Sequence, residues 1–137
     1  MTENKPSGIL ETALYVDDLD AADSFYGGIL KLDKVGFAEK RHIFYRCGEG
    51  VLLIFNPAET RVPAEESISV PPHGTSGAGH MCFSATNEEI DEFRRRFEKA
   101  KIEIERDFRW PNGARSLYAR DPAGNSIEFA EPSLWNF

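Results

Sequence analysis

Two carboxylates and one imidazole in this sequence have the types and surroundings to hold a metal ion. Glu11, His80 and Glu128 each stand inside a stretch that is otherwise rich in apolar residues. A carboxylate among apolar side chains is costly to bury unless it is paired, protonated or bound to a cation. One histidine with two carboxylates suits a hard or borderline divalent ion, and three ligands leave room for water and substrate. These residues predict a divalent metal site, and Mn, Fe, Ni, Zn and Mg all remain open.

The elements that must position these residues occur twice along the chain, in the order β-α-β-β-β. In unit one, hydrophobic spacing and turn residues predict a strand at 8–16, a helix from 20 onward and strands around 37, at 42–47 and at 51–55. In unit two they predict a strand at 80–85, a helix at 86–100 and strands at 102–108, 114–120 and 126–130. Thr86 and Glu89 form a capping box before the second helix. The chain is therefore one domain: unit one at about 8–56, a linker at 57–79, unit two at about 80–130 and an apolar tail at 131–137.

The two units also match in sequence position, which indicates an internal duplication. Aligning the strand starts puts Glu11 opposite His80, and aligning the last hairpins puts 43–46 opposite 116–119 and 53–55 opposite 127–129. A curled β-α-β-β-β unit cannot bury its concave face alone, so two units must face each other. The predicted fold is α+β, with two such units forming a curled mixed sheet around a cleft.

The composition of the chain limits the classes of partner that it can bind. The chain of 137 residues carries 16 Lys and Arg against 23 Asp and Glu, a net charge of −7, and lacks the positive field that nucleic acid requires. Apolar runs are too short to cross a membrane. Two distant cysteines and the polar start MTENKPSG favour a cytoplasmic location without disulfides. We therefore expect a small-molecule partner.

Three stretches carry a resemblance to a known family: GILETALYVDDLDAADSFY at 8–26, GAGHMCFSA at 77–85 and LYARDPAGNSIEF at 117–129. Here the sequence resembles the vicinal oxygen chelate superfamily of glyoxalases, extradiol dioxygenases, fosfomycin-resistance thiol transferases and bleomycin-resistance proteins. The resemblance implies one divalent metal, with His80 and Glu128 at the second-unit ligand positions. Glu11 stands where the family usually has His or Gln.

The same resemblance suggests further site residues. It implies a catalytic role for Glu128, and Tyr118 lies ten residues earlier, where fosfomycin-type transferases place a tyrosine that contacts substrate. Tyr118 is therefore a candidate catalytic and substrate-binding residue, with cross-strand packing as the alternative. Arg46 and Arg120 are candidates for an anion clamp, and Trp110 for a stacking face. Surface or core-covering roles remain open for these three residues.

Two functions follow as expectations. The first is a metal-dependent lyase, thiol transferase or dioxygenase that chelates vicinal oxygens of a small, anionic, oxygen-rich substrate. The second is a metal-free binding protein of the bleomycin-resistance type. Glyoxalase I-type members carry a further Glu on the last strand of unit one, where this chain offers Leu52 and Ile54. From this difference the sequence predicts that glyoxalase I chemistry is absent.

A homodimer with exchanged units is expected as well. The long 57–79 connection would allow the units of one chain to pair with those of another, and the apolar tail contains Leu134, Trp135 and Phe137. Such pairing would bring Glu11 of one chain to His80 and Glu128 of the other.

Overall fold

The computed structural model describes residues 4–63 and 70–137, and these form two four-stranded sheets. The first sheet has the order β1-β4-β3-β2 and the second β5-β8-β7-β6, with one parallel pair in each, β1 with β4 and β5 with β8. The strands are β1 Glu11–Tyr15, β2 Asp33–Ala38, β3 His42–Cys47, β4 Gly50–Phe55, β5 His80–Ser84, β6 Arg106–Arg109, β7 Arg115–Arg120 and β8 Ser126–Ala130. The predicted pair of β-α-β-β-β units is confirmed, and the sheets stay open rather than closing into a barrel.

The helices follow the local signals in the sequence. Helix α1 (Leu19–Asp23) starts where the Asp18 side chain accepts a hydrogen bond from the Ala21 amide, and it continues as a π-helical segment, Ser24–Ile29, that contains Gly27 and Gly28. Helix α3 (Asn87–Lys99) begins with the predicted capping box of Thr86 and Glu89. A 3-10 turn, Pro132–Trp135, ends the chain and leaves Trp135 exposed.

Two element predictions differ from the structure. A strand from 102 was expected, but strand β6 begins at Arg106. Ile102 and Ile104 pack against the core, and the Ile102 amide donates to the Phe97 carbonyl at the end of α3 instead of to a strand. The predicted linker contains a short helix, α2 (Pro57–Thr60), which begins where the Asn56 side chain caps the Ala58 amide. Part of that linker, 64–69, lies outside the described residues.

The core lies between the helices and one face of each sheet. Phe25, from the π-helical segment, stacks on Phe97 of α3 with ring centroids 5.7 Å apart, and both side chains are almost fully buried. Along β8, Ile127 and Phe129 point into this core, as the two-residue period of a strand requires. Ser126 and Glu128 therefore belong to the opposite face, which we call the open face because it is turned away from the helices.

A buried polar clamp joins the two units. The Tyr26 hydroxyl donates to Asp121 Oδ2 at 2.7 Å, and Asn125 Nδ2 donates to the same oxygen at 2.9 Å and to the Tyr15 carbonyl at 3.1 Å. Asn125 Oδ1 accepts from the Gly79 amide at 2.7 Å. The turn before β8 is thus tied to the end of β1 and to the residue that precedes His80.

Strand register confirms one part of the predicted duplication and corrects another. In the first sheet, Glu11 at the start of β1 pairs with Val51 of β4. In the second sheet, His80 at the start of β5 pairs with Ser126 of β8, so Glu11 and His80 occupy equivalent positions, as predicted. Leu53, paired with Phe44, then corresponds to Glu128, paired with Tyr118.

The predicted hairpin alignment is therefore wrong by one residue. Leu52 and Ile54 do not lie on the face of Glu128, because both are buried in the core. A slip of one residue turns every side chain to the other face of a strand, and the apolar run VLLIF offers no alternation that would have revealed it.

No helix in the described part of the chain combines the length and apolar character needed to span a membrane.

Candidate metal centre

His80 and Glu128 meet on the open face of the second sheet. His80 begins β5 and Glu128 lies in the middle of β8, and their Nε2 and Oε1 atoms are 3.4 Å apart. The His80 side chain is 52% exposed and that of Glu128 only 7%, so the imidazole covers the carboxylate from the solvent side. The expectation that these two residues share a site agrees with this contact.

A backbone carbonyl orients the imidazole of His80. Its Nδ1 lies 3.0 Å from the Ser126 carbonyl oxygen, which can only accept a hydrogen bond. Nδ1 therefore carries the hydrogen, and in the neutral ring Nε2 presents its lone pair toward Glu128. Metal-binding histidines typically have this arrangement, in which one nitrogen is anchored and the other is free.

Aromatic rings extend from this pair across the open face. The Tyr118 ring is stacked beside His80 with centroids 6.2 Å apart, and Phe108 lies parallel to Tyr118 at 6.1 Å. Trp110 packs on Phe108 at 4.9 Å. Tyr118 is also the direct cross-strand neighbour of Glu128. The cross-strand packing weighed as the alternative for Tyr118 is thus present in the fold, while contact with a substrate stays a prediction.

Desolvation and the Glu128 carboxylate raise the pKa of two neighbouring acids, Tyr118 and Cys82, although the Cys82 residue is exposed on the open face. The pKa of Tyr118 is raised to about 12, first by desolvation and then by hydrogen bonding to Glu128. The pKa of Cys82, the β5 partner of Glu128, is also raised to about 12, by desolvation and then by the charge of Glu128. At neutral pH both groups are therefore hydrogen-bond donors rather than anions.

Trp110 is linked to the carboxylate through Ser116, and its use as a stacking face for a substrate stays a prediction. Its indole Nε1 donates to Ser116 Oγ at 2.7 Å, and Ser116 Oγ donates to Glu128 Oε2 at 2.6 Å. The sequence prediction missed Ser116, although its position two residues before Tyr118 on the same strand was a usable signal.

The two candidate arginines differ in their partners. Arg120 holds both oxygens of Glu105, with nitrogen to oxygen distances of 2.7 and 2.9 Å, and contacts the Gly124 carbonyl. Arg46 is exposed and donates to the Gly48 carbonyl at 2.7 Å. The guanidinium charge of Arg120 is thus already matched by a carboxylate, which weakens its case as an anion clamp.

Glu11 does not join His80 and Glu128 within one chain. Across 4–63 and 70–137, no group of three or more His, Cys, Asp or Glu side chains is placed to hold a metal ion. Glu11 is exposed at the start of β1, on the wall of a groove of about 280 Å³ that also includes Val51 and Cys82. One chain thus supplies two close candidate ligands, and the third lies apart from them.

Aromatic rings also lie on the open face of the first sheet. His42 stacks on Phe44 with centroids 4.0 Å apart, and Phe55 packs edge-on against both rings. The Tyr15 hydroxyl lies 2.6 Å from Nδ1 of His73. By strand register, Phe44 occupies the place that Tyr118 has in the second sheet, and Leu53 the place of Glu128.

A family model described as the Glyoxalase/Bleomycin resistance protein/Dioxygenase superfamily matches residues 8–129. The chain belongs to this superfamily. The match includes Glu11, His80 and Glu128, and it confirms the resemblance found in the sequence. A comparison with curated proteins finds no match.

Solved structures of this superfamily agree with the fold. A lactoylglutathione lyase from Agrobacterium tumefaciens is 47% identical, with 98% of this chain and 100% of that chain covered and a TM-score of 0.92. A glyoxalase family protein from Bacillus anthracis is 24% identical, with 95% and 98% covered and a TM-score of 0.70. The fosfomycin resistance protein FosX from Listeria monocytogenes is 19% identical, with 91% of each chain covered and a TM-score of 0.68.

The Agrobacterium relative corrects one prediction. The sequence argument excluded glyoxalase I chemistry, whereas a protein of that named activity shares 47% of its residues with this chain over nearly its whole length. Leu52 and Ile54, on which that exclusion depended, face the core and say nothing about the site. One positioned carboxylate is able to perform the proton transfer for which two were expected to be necessary.

Proposed function

We propose that this protein is a divalent-metal-dependent lyase of the glyoxalase type, with lactoylglutathione lyase as its activity. The observation that carries the proposal is the contact of His80 Nε2 with Glu128 Oε1 at 3.4 Å on an open, partly aromatic face. The 47% identity to a lactoylglutathione lyase supports the choice of reaction.

The donor atoms fit a divalent ion. Two ligand atoms that each bind one ion at about 2.0–2.2 Å lie about 3.0–3.5 Å apart, and the pair in this chain meets that requirement. Imidazole nitrogen and carboxylate oxygen suit Zn, Ni, Mn and Fe alike. A bound ion would polarise the oxygen atoms of the substrate and stabilise negative charge that develops on them.

A second copy of the chain completes the site in this proposal. The remaining ligand is Glu11 of the partner subunit, because Glu11 is exposed and one chain does not bring it to the pair. Exposure of His80 leaves the pair open on the side from which a partner would approach. A homodimer is therefore part of the proposed active form, as the exchanged-unit prediction requires.

Glu128 moves the proton in this reaction. A lactoylglutathione lyase isomerises the adduct of a 2-oxoaldehyde and glutathione, which requires a proton to leave one carbon and reach its neighbour. Glu128 Oε1 takes the proton from the carbon that bears sulfur and returns it to the adjacent carbon, while the hydroxyl proton of the adduct moves to the oxygen of the former carbonyl, so the carboxylate is unchanged after one turnover. A single base suffices, and Leu53 at the equivalent place in the first sheet contributes an apolar wall.

Tyr118 and Arg46 bind the substrate in this proposal. The pKa of Tyr118 is raised to about 12, so its hydroxyl stays protonated at neutral pH and is available to donate a hydrogen bond to a substrate oxygen. Arg46 is the better candidate for a substrate carboxylate, because Arg120 is engaged by Glu105. The aromatic rings beside them exclude water from the reacting carbons.

The test compares Glu128→Gln with the matched variant Glu103→Gln, which changes an exposed glutamate outside the site. Chelator-stripped protein is loaded with Ni, Zn, Co or Mn in turn, and thioester formation from methylglyoxal and glutathione is followed. We expect kcat to fall by a factor of about 10²–10⁴ in Glu128→Gln and to stay unchanged in Glu103→Gln. Isomerisation that survives in Glu128→Gln contradicts the assignment of the base. If the protein binds the adduct of methylglyoxal and glutathione tightly without any metal and turns it over with none of the four metals, the metal-free binding function replaces the proposed one.

A further inference from the structure

A chain of two hydrogen bonds runs from the loop after β6 to the candidate base. Trp110 Nε1 is 2.7 Å from Ser116 Oγ, and Ser116 Oγ is 2.6 Å from Glu128 Oε2. Ser116 is fully buried and Glu128 is 6% exposed, so water does not compete for either contact. Short hydrogen bonds to a buried carboxylate are among the stronger ones in proteins.

The direction of each hydrogen bond in this chain is fixed. An indole N–H can only donate, so Ser116 Oγ must accept from Trp110. The single hydroxyl hydrogen of Ser116 then has one use, which is to donate to Glu128 Oε2. Trp110 thereby removes the freedom of the serine hydroxyl to rotate away from the carboxylate.

Backbone contacts hold the indole in place. The Trp110 amide donates to the Ala114 carbonyl at 2.8 Å, and the Gly113 amide donates back to the Trp110 carbonyl at 2.8 Å. Gly113 has a φ of 91°, a conformation that favours glycine. Phe108 packs on the indole ring at 4.9 Å. The loop is therefore a closed turn that sets the position of Nε1 before any ligand arrives.

We infer that Ser116, oriented by Trp110, is a positioning residue that determines which oxygen of Glu128 reacts. With Oε2 held from behind by Ser116, Oε1 is the oxygen presented to His80 Nε2 at 3.4 Å. This inference rests on the proposed function, since the oxygen that is presented is the one assigned to the ion and to proton transfer.

The test measures divalent metal affinity on the intact protein by competition with a chromophoric chelator, using Ni and Zn. Ser116→Ala removes the donor to Glu128, and we expect a 10- to 100-fold loss of affinity, the usual effect of removing a partner that orients a ligand. Trp110→Phe keeps a six-membered aromatic ring and removes the N–H together with the five-membered ring of the indole, and a loss of about 3- to 10-fold is expected. Ser84→Ala, on an exposed serine of β5, is the matched control and should keep full affinity.

The double variant separates positioning from packing. If Trp110 acts through Ser116, then Ser116→Ala with Trp110→Phe should lose no more affinity than Ser116→Ala alone. If the loss of affinity in the double variant equals the product of the two single losses, each side chain acts independently and the inference is overturned. In turnover assays, Ser116→Ala should lower kcat while KM changes less than about twofold, because the serine does not touch substrate.

The outcomes distinguish this inference from the proposed function. Wild-type metal affinity in Ser116→Ala overturns the inference, whether or not the protein isomerises the thiol adduct. Metal binding that depends on Ser116 in a protein without isomerase activity supports the inference and contradicts the proposed reaction. A wild-type protein that binds neither Ni nor Zn overturns both.

Discussion

Leu53 stands in the first sheet at the position that Glu128 occupies in the second. Leu53 pairs with Ala13 and Phe44, and Glu128 pairs with Cys82 and Tyr118, in the same order of strands. The duplicated fold thus carries an ionisable side chain on one side and an apolar one on the other. This asymmetry leaves Glu128 as the single base in the proposed reaction.

Adding a carboxylate at Leu53 should therefore strengthen metal binding. In the proposed dimer, Leu53→Glu places a fourth ligand and one more negative charge next to the ion, and we expect about tenfold tighter binding of Zn or Ni. Leu53→Gln is the control of matched shape without charge. Equal affinity in Leu53→Glu, Leu53→Gln and the wild type would show that Leu53 does not face the ion.

Arg46 and Arg120 should differ in their effect on substrate binding. Arg46→Ala removes a guanidinium that has no carboxylate partner among the described residues, and KM should rise about tenfold with kcat little changed. Arg120→Ala breaks its pair with Glu105, and KM should change less than about twofold. Steady-state kinetics measure both KM values. A larger rise of KM in Arg120→Ala than in Arg46→Ala would assign the anion clamp to Arg120.

Asn125 should be essential for stability because it joins the two units. Asn125→Ala leaves the Gly79 amide and the Tyr15 carbonyl without their partner in a largely buried place. The expected loss in the free energy of unfolding is about 3 kcal/mol. Denaturant unfolding measures it, with exposed Asn4→Ala as the control. A loss below about 1 kcal/mol would show that other contacts hold the units together.

Asp107 should make the stability of the protein depend on acid pH. Hydrogen bonds from Arg115 and then Arg94 keep the pKa of Asp107 below its ordinary value, at distances of 2.6–2.9 Å. A lowered pKa in the folded state stabilises the protein above the unfolded pKa of about 3.9, and this stability is lost as pH falls through the folded value.

Asp107→Asn tests this dependence. At pH 7 we expect Asp107→Asn to lower the free energy of unfolding by about 2–3 kcal/mol, because the side chains of Asp107 and Arg115 are only 17% and 11% exposed. The difference in the free energy of unfolding between Asp107→Asn and the wild type should shrink below about pH 4. Asp33→Asn, at an exposed aspartate, is the control. A cost that stays constant down to pH 2 would assign the effect to packing rather than to charge.

The sequence was sufficient to predict the duplicated fold because periodicity, caps and turns agree along the chain. The capping box at Thr86 and the alternation around Glu128 each point to one local structure. The face of β4 could not be predicted, because VLLIF is apolar at every position and only hydrogen-bond pairing sets its register. The role of Trp110 was equally hidden, since it depends on a loop geometry that brings the indole to Ser116.

Metal-dependent isomerisation by the His80 and Glu128 pair is the central claim, and one paired measurement tests it most directly. Chelator-stripped wild type and His80→Ala are titrated with Ni, Zn, Co and Mn, and isomerase turnover is recorded at each point. We predict stoichiometric binding by the wild type, turnover within about 1–1,000 per second with at least one metal, and loss of both in His80→Ala. Full metal occupancy and full turnover in His80→Ala would contradict the claim.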